Sequence, residues 1–291
     1  MRAGRVPPPP RSRIGDLTLT DTEVTPREPR AGSQPTRALA RTPIVMPILA
    51  NLRPRPDAAR ALQNYGRLAA GYDSTCKRIE ALRRRAIAEL ALRPGETVFD
   101  IACGTGPTLP LLARCVGPTG HVIGVELSPE MAGLARRRVA AAGLGDSVEV
   151  IETAVEALRH GLVADAMLFC YTHDVLQSPA AALRLIESAR PGARIVLLGM
   201  KTLPWIWGWP ANLFNLYRAR NYLTTYRNLD RPWRLLEEYG AALRVVCSAL
   251  WGSAYIAVGT LQGPALRREA ETGISLRPLT PQDAASRRAP R

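Results

Sequence analysis

The sequence predicts an α/β fold in which a mainly parallel sheet carries helices on both faces. Short apolar segments of strand length alternate with segments of helical spacing, and a glycine-rich turn joins the first strand to the next helix. The 291 residues are 46% apolar, which is enough to bury a core without disulfides or a metal. Strands that are separated by helices pair in parallel, and ligands bind at their carboxyl ends.

The predicted elements follow one another closely between residues 59 and 258. Arg93-Pro94-Gly95 ends the second helix, and Ser128 caps a later helix whose first turn contains Glu130. The predicted strands are 97–102, 121–125, 148–151, 164–170, 193–198, 243–250 and 254–258. The predicted helices are 59–70, 75–92, 106–116, 128–142, 179–189 and 231–239.

Two segments are expected to lie outside this domain, which is predicted to cover residues 59–261. Residues 1–58 contain the polyproline run 7–10 and show no apolar period, and residues 262–291 also lack a period. Both are predicted to be disordered tails. The first tail has no apolar stretch typical of a secretory signal, and its acidic residues argue against a transit peptide.

The net charge of +14 does not by itself indicate a nucleic-acid partner. Of the 39 basic residues 37 are arginine, which is typical of mutational bias in a GC-rich genome. Residues 1–60 and 262–291 carry +6 and +3, so +5 remains for residues 61–261. No recognition motif and no basic cluster with aromatic side chains accompanies the charge, so a nucleic-acid partner is not expected.

The five cysteines are odd in number and scattered, without a CxxC pair. This pattern excludes a disulfide scaffold, argues against a zinc site and favours a reducing compartment. We expect no metal site. No run approaches 18 apolar residues, so no segment is predicted to span a membrane, and a cytoplasmic location is expected.

The most specific motif is the turn Ala-Cys-Gly-Thr-Gly after the first strand. Gly104 and Gly106 allow a ligand to approach the backbone. A dinucleotide site would need a third glycine where Leu109 stands. Instead, Asp100 lies inside the strand, where a carboxylate suits an ammonium group, and Glu126 ends the next strand, where an acid can bind a ribose diol. A nucleoside joined to an amino-acid ammonium describes S-adenosylmethionine.

This stretch resembles motif I of class I S-adenosylmethionine-dependent methyltransferases, and residues 60–260 resemble that fold in the order of their elements. The resemblance implies a Rossmann-like, doubly wound, seven-stranded sheet that is mainly parallel and ends in an antiparallel hairpin. It also implies a set of cofactor-binding residues: Asp100, Ala102, Cys103, Gly104, Thr105 and Gly106 for the methionine part, Glu126 for the ribose, and Leu127, Met131, Ala154, Val155 and Tyr171 for the rest of the site.

The sequence departs from the family pattern after the third strand. The family usually has an acid there that binds the adenine amino group, and Ala154 occupies that position here. Either Glu152 or Glu156 replaces that acid, or the amino group meets backbone alone.

Three residues are candidates for the acceptor side. His173 and Asp174 follow the fourth strand, where His173 could take a proton and Asp174 could hold a cationic acceptor. The alternative is that Asp174 caps a helical turn and that His173 is packed or exposed. Tyr72 resembles the tyrosine that closes over the cofactor in ubiquinone/menaquinone and phospholipid methyltransferases, or else it packs at a helix end.

Residues 201–228 form an aromatic-rich insert between the fifth strand and the next helix. Three of the five tryptophans lie in Trp205–Trp209, with arginines nearby. The insert is predicted to be a lid over a hydrophobic acceptor, and Trp205–Trp209 to be a peripheral membrane contact. The alternative is that its aromatic side chains form a small core of their own.

Taken together, the residues predict an S-adenosylmethionine-dependent methyltransferase that acts on a small-molecule or lipid-like acceptor. A phospholipid or quinone head group is the alternative acceptor. A second alternative is a non-catalytic module that binds the cofactor and makes contacts through basic tails.

Overall fold

The computed structural model describes residues 53–69 and 79–261. Strands alternate with helices along these residues, as the periodicity predicts. The strands are β1 (Thr97–Ile101), β2 (His121–Glu126), β3 (Val148–Glu152), β4 (Ala164–Cys170), β5 (Ala189–Met200), β6 (Ala242–Ala249) and β7 (Ala254–Leu261). The helices are α1 (Ala58–Leu68), α2 (Glu80–Glu89), α3 (Leu109–Val116), α4 (Pro129–Ala141), α5 (His173–Leu176), α6 (Pro179–Glu187), α7 (Trp205–Ala219) and α8 (Arg234–Glu238).

Within the described residues the strands form one seven-stranded sheet in the order β3-β2-β1-β4-β5-β7-β6. The first five strands are parallel, whereas β7 is antiparallel to both β5 and β6. This arrangement confirms the predicted fold class. The strand order reverses between β1 and β4, and the carboxyl ends of these two strands therefore border a natural binding crevice.

Two hydrophobic clusters cover the two faces of the sheet. Successive residues of β1 show the division, because Val98 belongs to one cluster and Phe99 to the other. Helices α2, α3 and α4 cover the face of Val98, and α6 and α8 cover the face of Phe99. The sheet is therefore wound on both sides and buried along its centre.

Several predicted boundaries shift in the structure for local reasons. Helix α3 begins at Leu109 instead of residue 106, because Gly106 has φ +72° and still belongs to the turn. Strand β5 begins at Ala189, earlier than predicted, and β7 runs on to Leu261. The described part of the second helix is shorter than predicted, and so is α8.

The aromatic insert contains a helix that the sequence analysis did not predict. Helix α7 spans Trp205–Ala219 and has Pro210 inside it. The insert has a small core around Leu216 and Leu223, but the tryptophans of Trp205–Trp209 are exposed and do not contribute to it. The alternative in which the aromatic side chains of the insert form its core is therefore wrong for these tryptophans.

The first helix is held by contacts from residues that precede it. Asp57 caps α1 by accepting a hydrogen bond from the Arg60 backbone N–H, and its own N–H donates to Thr224 at 2.9 Å. The Arg53 carbonyl accepts a hydrogen bond from Thr225. Residues 53–57, which the sequence analysis places in the first tail, thus contact the insert. The remaining residues of both predicted tails lie outside the described part of the chain.

The closing hairpin predicts the effect of one small substitution. A Cβ atom at Gly259 would lie 2.0 Å from the Ala242 carbonyl oxygen, so the two strands would have to separate. We expect Gly259→Ala to reduce the free energy of unfolding by about 1–3 kcal/mol, as measured by urea denaturation. Gly145→Ala is the matched control, because no atom lies within 4 Å of its added Cβ. Equal stability of the two variants would contradict this account.

Candidate functional site

A cleft of about 290 Å³ opens at the carboxyl ends of β1, β2 and β4. Ala102, Glu126 and Tyr171 follow or end these three strands and line one wall. Residues of α1 and of the segment 222–224 line the opposite wall. The cleft therefore lies at the strand-order reversal, where the fold predicts a ligand.

The glycine loop has a backbone conformation that depends on its glycines. Ala102, Gly104 and Gly106 have φ values of +52°, +60° and +72°. A Cβ at Gly106 would lie 2.8 Å from a methyl carbon of Leu109 and 3.0 Å from Cβ of Ala135, so this glycine also allows α3 and α4 to approach. Ala102 is strained without being glycine, and such strain is often found next to a ligand.

Glu126 is the buried carboxylate at the mouth of this loop. Its two oxygens accept hydrogen bonds from the backbone N–H groups of Gly104, at 2.9 Å, and Ser128, at 2.8 Å. Burial raises the pKa of Glu126, although the same backbone donors oppose the shift. A carboxylate has about four lone-pair positions, so each oxygen can still accept a hydroxyl from a ligand in the cleft.

Asp100 lies beneath the loop and is not among the residues that line the cleft. Its carboxylate accepts a hydrogen bond from the Thr108 hydroxyl. Burial raises its pKa to about 7, and the opposing effects of Thr108 and Arg83 are smaller. The structure therefore does not bring Asp100 to the cleft surface, and its predicted contact with a ligand ammonium stays a prediction.

The predicted cofactor residues divide into a lining group and a supporting group. Cys103 packs beside Gly124, and Arg138 donates a 2.6 Å hydrogen bond to the Thr105 carbonyl. Cys103, Thr105 and Gly106 therefore support the loop and do not line the cleft. The predicted residues that line the cleft are Ala102, Gly104, Glu126, Leu127, Met131, Ala154, Val155, Tyr171, His173 and Asp174.

The structure places the two acids near the end of β3, the candidates to replace the adenine-binding carboxylate, in different surroundings. Glu152 pairs with Arg136 at 2.9 Å on the surface. Glu156 lines the cleft and accepts a hydrogen bond from Ser178 at 2.5 Å. Of these two, only Glu156 is placed where it could contact a bound nucleoside.

His173 has a buried imidazole in the wall of the cleft. The side chain is 5% exposed, and within the described chain neither ring nitrogen has a hydrogen-bond partner. Burial lowers its pKa to about 4, and the nearby Arg227 backbone, which does not reach hydrogen-bond geometry with the ring, opposes this shift by a smaller amount. The ring is therefore neutral near pH 7 and can accept a proton from a cleft ligand. The neighbouring Thr172 hydroxyl is also buried without a partner.

Asp174 is occupied by the insert. Its carboxylate oxygens accept hydrogen bonds from the Thr224 backbone and hydroxyl and from the Thr225 backbone, at 2.7–3.4 Å. Burial raises its pKa, and these hydrogen bonds oppose the shift. Asp174 therefore fixes the segment around Thr224, and its predicted contact with a cationic acceptor stays a prediction.

The contact between α1 and the insert, which forms the opposite wall of the cleft, was not predicted from the sequence. Tyr65 on α1 lines the cleft and donates a 3.0 Å hydrogen bond to the carbonyl of Tyr222, which also lines it. The N-cap pattern at Asp57 was readable in the sequence, but its partner is 167 residues away. Tyr72, the third acceptor-side candidate, lies outside the described residues.

Three comparisons with known proteins agree with this geometry. A family model described as a methyltransferase domain matches residues 98–192. Nocamycin O-methyltransferase of Saccharothrix syringae is 32% identical over 150 residues, which cover 50% of this chain and 52% of that protein. Demethylmenaquinone methyltransferase of Symbiobacterium thermophilum is 29% identical over 141 residues, which cover 46% and 56%. The chain thus spans about half the length of these curated relatives.

A solved structure extends the likeness of the fold. An O-methyltransferase family protein from Burkholderia thailandensis matches with a TM-score of 0.56 and 19% identity, over 76% of this chain and 68% of that one. Residues 98–192 thus carry a methyltransferase domain, and the chain resembles the class I S-adenosylmethionine-dependent methyltransferases. S-adenosylmethionine is the cofactor of this domain. The lone pairs left on Glu126 and the apolar side chains of Leu127 and Met131 fit its nucleoside part.

The buried acid of the methyltransferase domain predicts a pH-dependent stability. Asp100 binds its proton more tightly in the fold than in the unfolded chain, so its stabilising contribution is complete below pH 3.8 and is lost as the pH rises through 7. We expect the unfolding free energy of the wild type, relative to Asp100→Asn, to fall by a few kcal/mol between pH 4 and pH 7. Urea denaturation at each pH measures the difference.

Thr108→Val provides a second variant for the same titration. Removing the hydroxyl takes away a donor that lowers the pKa of Asp100, so the decline in stability should extend to higher pH. A difference between wild type and Asp100→Asn that does not change with pH would contradict the assigned burial of this carboxyl.

Proposed function

We propose that this protein transfers a methyl group from S-adenosylmethionine to the hydroxyl oxygen of a neutral, mostly apolar small molecule or lipid-like acceptor. The observation that supports this best is the neutral, unpartnered imidazole of His173 in the cleft wall. It begins the short helix α5 after β4, the strand next to β1, and the apolar wall described below would hold the acceptor.

The acceptor wall is apolar along most of its length. Helix α1 and the segment after α7 contribute small, aliphatic and aromatic side chains to it. These residues are Ala58, Ala61, Leu62, Tyr65, Tyr222 and Leu223. Such a wall favours an acceptor whose surface is largely hydrocarbon or aromatic.

The charged groups of the cleft favour an uncharged acceptor. The carboxylates of Asp57, Glu126, Glu156 and Asp174 all accept hydrogen bonds from neighbouring protein groups. Arg55 is the single arginine or lysine that lines the described part of the cleft. An anionic acceptor would therefore find one cation to replace its lost hydration, and a cationic acceptor would find carboxylates whose charge these hydrogen bonds already partly compensate.

His173 supplies the proton transfer in this proposal. When bound, S-adenosylmethionine supplies a methyl group on a positively charged sulfur that leaves as a neutral thioether. The acceptor hydroxyl gives its proton to a ring nitrogen of His173 while its oxygen bonds to the methyl carbon. A ring with a pKa of about 4 is a weak base, but it suffices because the hydroxyl proton becomes strongly acidic as the oxygen is alkylated.

A reduced quinone head group is a second candidate acceptor. It is neutral, aromatic and carries hydroxyl groups, and one relative is named a demethylmenaquinone methyltransferase. Its ring would fit the apolar wall equally well, but a methyl group added to ring carbon would need His173 to remove a proton from carbon instead of oxygen.

Cofactor binding is tested first, by isothermal titration calorimetry of the purified chain with S-adenosylmethionine. We expect Glu126→Ala to weaken binding about 10- to 100-fold, because hydrogen bonds to a charged group contribute about 1.5–3 kcal/mol. Glu149→Ala, which removes an exposed acid of β3, is the matched control. Undetectable binding by the wild type would overturn the proposal.

Proton transfer is tested by tritiated methyl transfer to small-molecule, lipid and tRNA extracts. On an accepted substrate, His173→Asn should lower kcat about 100-fold or more and leave the affinity for S-adenosylmethionine unchanged. His121→Asn, which replaces an exposed histidine at the start of β2, should retain activity. In the wild type the acidic limb of the pH–rate profile should lie well below pH 6.5, because His173 stays neutral there.

Three outcomes of this assay count against the proposal. Cofactor binding without transfer to any extract would favour the non-catalytic module. Transfer to tRNA would exclude the neutral apolar acceptor. Full activity of His173→Asn would remove the proton-transfer role.

A further inference from the structure

We infer that the outer face of α7, together with the turn between β6 and β7, forms one surface that docks on an anionic lipid bilayer. We define the outer face of α7 as Ile206, Trp209, Leu213, Phe214 and Tyr217. This inference extends the contact predicted for Trp205–Trp209 to a composite surface. It does not depend on the proposed methyl transfer.

Helix α7 is apolar on two opposite faces. One narrow face is buried against the domain and consists of Gly208, Asn212, Leu216 and Ala219. The outer face follows the helical spacing i, i+3, i+7, i+8, i+11, and Ile206 and Phe214 in it are 95% and 59% exposed. A contiguous exposed apolar patch usually marks an interaction site, so the outer face is suited to contact with a further apolar environment.

The outer face of α7 stays exposed because contacts on the buried face hold the helix in one orientation. The side-chain amide of Asn212 accepts a 2.8 Å hydrogen bond from the Leu203 N–H and donates a 2.9 Å bond to the Leu203 carbonyl. Gly208 allows close packing there, because a Cβ at this position would lie 2.4 Å from Cβ of Leu203. The helix is therefore fixed with its outer face toward solvent.

The turn between β6 and β7 adds a second apolar projection at the start of α7. Leu250 and Trp251 are 63% and 93% exposed and have φ values of +51° and +60°. The next residues contact the segment before α7: the Ser253 carbonyl accepts a 2.7 Å hydrogen bond from Lys201, and Gly252 lies beside Leu203. Two strained, exposed apolar residues thus lie at the same end of the molecule as the helix.

The charges around this surface match an anionic bilayer. Residues 201–229 contain four basic residues and no Asp or Glu. The guanidinium of Arg220 lies 3.8 Å from the ring centroid of Tyr217, and that of Arg218 lies 5.7 Å from Phe214. Aromatic side chains edged by cations are typical of segments that lie in the headgroup region of a membrane.

The shape of the surface favours a bilayer over a protein partner. Side chains that are more than nine-tenths exposed project from the surface, and projecting apolar groups insert into lipid more readily than they match a rigid partner. Among the described helices none is long and apolar enough to cross a membrane. Helix α7, with 15 residues and an internal proline, would therefore lie in the interface.

Vesicle flotation with the full chain tests the inference. Vesicles of phosphatidylcholine with 30% phosphatidylglycerol should bind the protein, and vesicles of phosphatidylcholine alone should bind it more weakly. The double variant Ile206→Ser/Phe214→Ser and the single variant Trp251→Ser should each reduce the bound fraction at least fivefold. Leu183→Ser, which replaces an exposed leucine of α6, should bind like the wild type. Thermal unfolding and cofactor titration of the same samples show that each variant is folded.

Three results would overturn the inference. The first is that the wild type floats with neither kind of vesicle. The second is that the variants float as well as the wild type, which would assign binding to the basic tails. Alternatively, light scattering would show a dimer that these substitutions dissolve while no vesicle is bound, which would assign the surface to a second copy of the chain. Because cofactor titration is measured separately, failure of docking is distinguishable from failure of the proposed methyl transfer.

Discussion

The reversal of strand order between β1 and β4 is the constraint on which the rest of the site depends. The helices α3 and α6, which return the chain from β1 and β4, cover opposite faces of the sheet, so neither covers the carboxyl ends of β1 and β4. The chain leaves β1 through a glycine loop and leaves β4 at Tyr171, and the backbone at Ala102 and Tyr171 has positive φ. The two strands thus end in strained turns that face one cleft. Glu126 ends β2 at the same cleft, and it connects this third strand to the glycine loop by accepting a hydrogen bond from the Gly104 N–H.

The wall of the cleft opposite the strand ends depends on a single carboxylate. Asp174 holds Thr224, whose hydroxyl in turn accepts a hydrogen bond from the Asp57 N–H at the start of α1. Three chain segments that are far apart in sequence therefore meet around this carboxylate. Loss of this carboxylate would leave the backbone and hydroxyl donors of Thr224 and the backbone donor of Thr225 without their acceptor. The wall next to His173 is built from separate segments, and these hydrogen bonds hold them in one arrangement.

Local patterns in the sequence predicted the sheet, the glycine loop and the cap at Ser128, because these features depend on neighbouring residues. The partners of Asp174 were not predictable, since Thr224 lies 50 residues away and carries no local signal. Helix α7 was missed because Gly208, Pro210 and three tryptophans disfavour a helix locally, and because apolar residues on both faces hide the usual period. The position of Asp100 within β1 identified it as a candidate cofactor-binding residue. Its burial beneath the loop depends on the packing of distant residues and was not predictable from the local sequence.

The distribution of charge links the composition to the surface of the insert. A mutational bias toward arginine raises the positive charge everywhere, but it does not remove acidic residues from one segment. Residues 61–261 carry a surplus of +5, and residues 201–229 alone carry +4 because they contain no acid. Residues 61–261 are thus nearly neutral apart from the insert, and their surplus charge lies beside the outer face of α7. Composition explains the abundance of arginine, whereas the absence of acids around exposed tryptophans requires a local cause, and contact with anionic lipid headgroups provides one.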